Sequence, residues 1–117
     1  MSEAKILVTD DEEDIRDTLA DRVEAEGFEV ATASDGIRGL DKMREFDPDL
    51  VLLDIDMPVK DGVSTLKSIL ARDATANVVM MTTVSNQAVV ESCILGGAKD
   101  YITKDKDPMT VKARLEQ

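Results

Sequence analysis

Leu50-Val51-Leu52-Leu53-Asp54-Ile55-Asp56-Met57-Pro58 is the stretch on which the fold turns. Four consecutive apolar residues without polar alternation suit a strand buried on both faces, as in a parallel sheet covered by helices on either side. The run breaks on a carboxylate, Asp54. A polar loop containing Pro58 and Gly62 then leads to a helical pattern of Val63, Leu66, Ile69 and Leu70.

The same alternation extends in both directions. Upstream, Ile6-Leu7-Val8 reads as a strand ending in Asp10-Asp11. Asp11 or Glu12 opens a helix with Ile15, Leu19 and Val23 at i, i+4 spacing, and Gly27 serves as its C-cap. Phe28 to Thr32 alternates in polarity as an edge strand does. Asp35-Gly36 begins a helix bearing Ile37, Leu40 and Met43, which Asp47-Pro48 closes. Downstream, Val78-Val79-Met80-Met81 is a core strand ending in Thr82-Thr83. The next helix carries Val89, Val90 and Ile94, holds Cys93 as a packing residue, and stops at Gly96-Gly97. Lys99 to Thr103 forms the last strand, with Lys104 at its end, and Pro108 suits the first turn of a final helix capped by Asp107.

Five strands alternating with five helices imply an α/β domain with a doubly wound five-stranded parallel sheet. Right-handed crossovers covering both faces favour strand order 2-1-3-4-5, although spacing alone leaves the order open. A chain of 117 residues suits a single domain over residues 1–117. It has 14 Lys+Arg against 25 Asp+Glu, a net charge of −11, which disfavours direct binding to nucleic-acid phosphates. The absence of His removes His general bases, His-ligated zinc and phosphorylation on His. One cysteine leaves no internal disulfide. No apolar run approaches the ~20 residues of a membrane span and no basic leader is present, so a soluble, cytoplasmic domain without membrane contact is expected.

In an open parallel sheet the C-terminal strand ends share one edge, and ligands bind where the strand order reverses. That edge collects Asp10, Asp11 and Asp54, the hydroxyls of Thr82-Thr83 and the ammonium of Lys104. Three converging carboxylates repel one another unless a hard divalent cation joins them, and all-oxygen donors point to Mg²⁺, with Mn²⁺ as an alternative. Three negative charges, two positive charges from the metal and one from Lys104 sum to neutrality. Such a site can accept a phosphoryl group onto a carboxylate, a transfer that needs positioning and charge neutralisation more than acid–base groups.

The ordered set Asp10-Asp11, Asp54-Ile55-Asp56-Met57-Pro58, Asp61-Gly62, Thr82, Gly97-Ala98, Tyr101 and Lys104 resembles the receiver domain of bacterial two-component response regulators over essentially the whole chain. The resemblance implies a flavodoxin-like (βα)5 fold. It also implies that Asp54 is the phosphoacceptor, taking its group from a histidine kinase or histidine phosphotransfer protein. Asp11, Asp54 and the Asp56 backbone carbonyl would ligate Mg²⁺, with Asp10 acting mostly through a bound water. Lys104 and Thr82 would bond phosphoryl oxygens, and Tyr101 would follow Thr82 inward. The surface of the fourth helix, fifth strand and last helix would change as a result. The protein would then catalyse only its own phosphorylation and slow dephosphorylation. It would signal to an output partner or an output domain outside this chain, as a monomer or a phosphorylation-dependent dimer.

Taken singly, each residue has a plainer reading: Asp10-Asp11 as helix caps, Thr82 as a β-branched strand residue, Lys104 as a solvated lysine, Tyr101 as a partly buried strand aromatic. Their coincidence at the ends of four of the five strands is what favours the site. Two residues depart from the family pattern. Asp105 stands where proline usually follows the lysine, so a trans Lys104–Asp105 bond is expected, a non-proline cis bond costing ~2.5–4 kcal/mol. Thr83 stands where a smaller residue is usual and would narrow access to the phosphate. Asp54-Ile55-Asp56 also matches the Asp-x-Asp of haloacid-dehalogenase-type phosphatases, but that family carries it on the first strand. A docking-only, degenerate receiver is the other alternative.

Overall fold

The structure, a computed structural model, describes residues 4–55, 61–82 and 87–103, and of Thr82, Gln87 and Thr103 the backbone only. Among these residues the chain forms β1 (Lys5–Thr9), α1 (Glu13–Ala25), β2 (Glu29–Ala33), α2 (Gly36–Phe46), β3 (Leu50–Asp54), α3 (Gly62–Arg72), β4 (Val78–Thr82), α4 (Gln87–Leu95) and β5 (Asp100–Thr103). The helix expected from Pro108 lies outside the described residues. All pairings are parallel, and the sheet order is β2-β1-β3-β4-β5, as the sequence led us to expect.

Alternation along the buried strands splits the core in two. On one face Leu7, Val51, Leu53, Val78 and Met80 meet Leu66 and Ile69 of α3 and Val90 and Cys93 of α4, with Leu40 and Met43 of α2 at the margin. On the other, Ile6, Val8, Leu50, Leu52, Val79, Met81 and Ile102 meet Val23 and Leu19 of α1. Helices on both faces are what the doubly wound reading requires, and they bury every residue of β3. Cys93 is buried as expected, and burial pushes its thiol pKa up by desolvation.

Local signals set the element ends. α1 ends at Ala25 with Glu26 as its C-cap, and Gly27 just beyond it has a φ of 98°, in the left-handed region that a side chain resists. Asp35 caps α2 by accepting from the Arg38 N–H at 2.8 Å, and Asp47, also left-handed, closes it. β2 begins one residue later than the polarity pattern suggests, because Phe28 packs into the α1-side core before pairing starts at Lys5↔Glu29.

Two expected core residues face outward. Ile37 is 52% exposed, because α2 approaches the sheet through Gly36 and Gly39, which share the i, i+3, i+4, i+7 stripe of Leu40 and Met43. A β-carbon on Gly39 would lie 3.2 Å from the Thr9 side chain, a contact tight enough that Thr9 would have to shift. Ile94 is 39% exposed because Val90 and Cys93 occupy the inward stripe of α4.

Candidate functional site

The C-terminal ends of the five strands form one edge, with Thr9 in register with Ala33 on one side and Leu53 on the other. Asp54 pairs with Met81, and Thr82 with Thr103. Asp10 follows β1 directly and is held there by its N–H, which donates to the Ala33 carbonyl at 3.1 Å. Ile6 and Val8 on β1, like Leu50 and Leu52 on β3, face α1, so the pleat sends Asp10 and Asp54 to that same side on adjacent strands. Both are buried, Asp10 at 0% and Asp54 at 1% exposure.

Beyond Asp10 the chain enters α1 at once. The Asp10 Oδ1 accepts from the Glu12 N–H at 2.9 Å, and carboxylate oxygens of Asp10, Asp11 and Glu12 lie within 4.8 Å of one another. Asp11 and Glu12 are exposed, so the trio opens to solvent from a buried base. Like charges at this spacing repel, and a hard divalent cation suits a donor set made wholly of carboxylate oxygen. The sequence pointed to Asp10, Asp11 and Asp54 as the acidic set. Among the described residues the compact trio joins Glu12 to Asp10 and Asp11, and Asp54 stands on the neighbouring strand.

At the end of β3 a different device operates. The Gly62 N–H donates to the Ile55 carbonyl at 2.8 Å. A β-carbon on Gly62 would lie 2.6 Å from the Ile55 Cα and closer still to the Asp54 carbonyl oxygen. The N-terminus of α3 is therefore seated on the backbone that carries Asp54. Asp61 caps this helix, accepting from the Ser64 N–H at 2.8 Å, and its carbonyl accepts from the Thr65 hydroxyl at 2.8 Å.

Of the other expected site residues, Thr82 ends β4 at the same edge. Tyr101 lies on β5 opposite Met80 and is 42% exposed. Asp56, Thr83, Lys104 and Asp105 lie outside the described residues, and the Lys104–Asp105 bond with them. Sequence reading gives Glu12 only the opening of the first helix, and it passes over Arg16, whose Nη1 donates to the Asp10 carbonyl at 3.0 Å. Arg16 stands four residues after Glu12, a spacing that by itself suggests only an ordinary helical pair.

The family model described as "Response regulator receiver domain" matches residues 6–116. The chain belongs to this family. This receiver domain is 41% identical over 101 residues to the chemotaxis protein CheY of Bacillus subtilis, covering 86% of its own length and 84% of the relative's. It superposes on the receiver domain of NtrX from Brucella abortus with a TM-score of 0.90 at 35% identity, covering 95% and 94% of the two chains. A CheY structure from Borrelia burgdorferi, solved as a complex of CheX, CheY, BeF₃ and Mg²⁺, aligns with a TM-score of 0.88 at 32% identity, covering 96% and 86%. Receiver domains act in two-component signalling with histidine kinases or phosphotransfer proteins and bind Mg²⁺ at an acidic cluster. This chain has such a cluster. No helix among the described residues is long and apolar enough to cross a membrane.

Proposed function

We propose that this receiver domain takes a phosphoryl group onto Asp54 from the phosphohistidine of a kinase or phosphotransfer protein. An Asp54 carboxylate oxygen attacks phosphorus, the P–N bond breaks, and the electron pair returns to the imidazole, which takes a proton from solvent. Slow attack by water on the acyl phosphate later returns Asp54 and inorganic phosphate. No other substrate is turned over. The observation that carries this reading is the placement of buried Asp54 on the strand adjacent to Asp10, beside an open carboxylate trio, in a chain of this family.

Asp10, Asp11, Asp54 and the Asp56 carbonyl would hold Mg²⁺, or Mn²⁺, which when bound offsets the charge gathering on the phosphoryl oxygens. That a Borrelia relative was solved with BeF₃ and Mg²⁺ supports a Mg²⁺-dependent reading. Lys104 and Thr82 supply charge-assisted and neutral hydrogen bonds to the transferred group. Tyr101 then moves with the Thr82 loop, changing the α4–β5 surface that an output partner, or an output domain elsewhere in a longer protein, reads. Residues 1–117 act in this reading as one cytoplasmic receiver domain, monomeric or dimerising on phosphorylation.

Intact mass after incubation with acetyl phosphate and Mg²⁺ tests the proposal. One added phosphoryl group is expected for the wild type, and none for Asp54→Ala or without metal. An adduct that persists in Asp54→Ala, or steady turnover of a phosphate ester as in a haloacid-dehalogenase-type phosphatase, would overturn it. A wild type that takes no phosphoryl group would indicate a docking-only module instead.

A further inference from the structure

Arg16 belongs to the second turn of α1, and its Nη1 donates to the Asp10 backbone carbonyl at 3.0 Å. That carbonyl is part of the peptide joining Asp10 to Asp11, so the two carboxylates project from either end of one planar unit. The Asp10 N–H is already fixed to Ala33 at 3.1 Å, and its Oδ1 to the Glu12 N–H at 2.9 Å. Those bonds restrain the Asp10 side of this peptide, and the guanidinium adds a hold on its carbonyl from within α1. Arg16 forms no ion pair among the described residues, although three carboxylates lie one turn away; the pairs found are Arg38–Asp35 and Lys42–Glu45. Arg16 also lines a solvent-open groove with Arg38, Asp41, Lys42 and Glu45. Its guanidinium is thus directed to a carbonyl rather than to a carboxylate.

From this geometry we infer that Arg16 is a positioning residue for divalent-metal binding. It orients the Asp10–Asp11 peptide so that both side chains face one cation, without itself touching the metal. The inference rests on the Mg²⁺-dependent reading above. It also has a sign that bare electrostatics does not share. Deleting a positive charge beside a cation site should, by Coulomb's law alone, tighten cation binding. Releasing the peptide should weaken it, as loss of groups that orient metal ligands commonly does by about 10-fold or more.

The test is the affinity of the intact chain for Mn²⁺ alone, from the electron paramagnetic resonance of free Mn²⁺, in wild type, Arg16→Met and Arg16→Lys. Thermal melts followed by circular dichroism report whether each variant is folded. Arg16→Met is expected to bind Mn²⁺ about 10-fold more weakly than wild type. Arg16→Lys, whose ammonium can still donate to a carbonyl, should recover most of that loss. Phosphorylation by acetyl phosphate should need more Mg²⁺ in Arg16→Met, yet approach the wild-type rate at saturation. Unchanged or tighter Mn²⁺ binding in a folded Arg16→Met overturns the inference. If Arg16→Met does not fold, wild-type affinity in Arg16→Lys upholds it, and affinity weakened about 10-fold in a folded Arg16→Lys overturns it. A wild type that binds no Mn²⁺ would strike the metal-dependent reading itself, a result separate from either outcome at Arg16.

Discussion

At the end of β1 the chain passes straight into α1, and Asp10, Asp11 and Glu12 gather their carboxylates with Glu12 at the N-cap position, where its side chain makes no capping bond. At the end of β3 a single buried carboxylate, Asp54, is backed by a helix whose first residue presses on its main chain. The first junction accumulates negative charge and exposes it. The second removes freedom from one side chain's backbone. A cation site needs converging charge that solvent can reach, whereas a nucleophile that must meet phosphorus in line needs a fixed origin. Both junctions sit at the same sheet edge, and the division of labour between them is set by the few residues just beyond each strand.

The two junctions differ most in the core that backs them. Leu66 of α3 is buried against β3 and β4, whereas Leu19 of α1 is only partly covered. Leu66→Ala should cost about 2–5 kcal/mol of stability and Leu19→Ala about half as much, read from denaturant unfolding. Equal losses would mean that α1 is as firmly seated as α3. Next comes Gly62→Ala. At the first position of a helix this exchange ordinarily stabilises by a few tenths of a kcal/mol to about 1 kcal/mol. Here the new methyl meets the Asp54–Ile55 backbone, so a loss of about 1–3 kcal/mol is expected instead. Slower phosphorylation should accompany it. A neutral or stabilising result would show that α3 can back away without disturbing Asp54. The smallest effect sharpens the contrast at the caps. Asp61→Ala removes a cap bond and should cost about 1 kcal/mol. Glu12→Ala removes no cap bond and relieves carboxylate repulsion, so its thermal midpoint should stay within error of the wild type or rise slightly. A loss equal to that of Asp61→Ala would show that Glu12 caps α1 after all.

Much of this was legible beforehand, for reasons that differ by region. The unbroken run at Leu50–Leu53 reads as a doubly buried strand because both faces of the sheet are covered, and β3 is buried throughout. Gly27 and Asp35 announce helix ends through purely local preferences, and both act where expected. Ile37 misled because an apolar residue at helical spacing gives no information about how closely its helix approaches the sheet, and α2 comes in on Gly36 and Gly39. Gly62 was visible as part of a motif, but its role was not, since the atoms it touches belong to β3 and the residue after it. Glu12 reads only as a helix opener and Arg16 carries no signal, until the turn after Asp10 brings one to the trio and the other to a carbonyl.

The succession of strands and helices, and the carboxylates at the ends of the first and third strands, follow from local sequence, because periodicity and capping act over a few residues. Which carboxylates cluster, which glycine admits no β-carbon and which arginine holds the Asp10–Asp11 peptide were decided by tertiary structure alone. The Gly62 contact joins two elements, and the trio and the Arg16 bond depend on the path of the turn between β1 and α1, which is fixed only once the helices have packed onto the sheet.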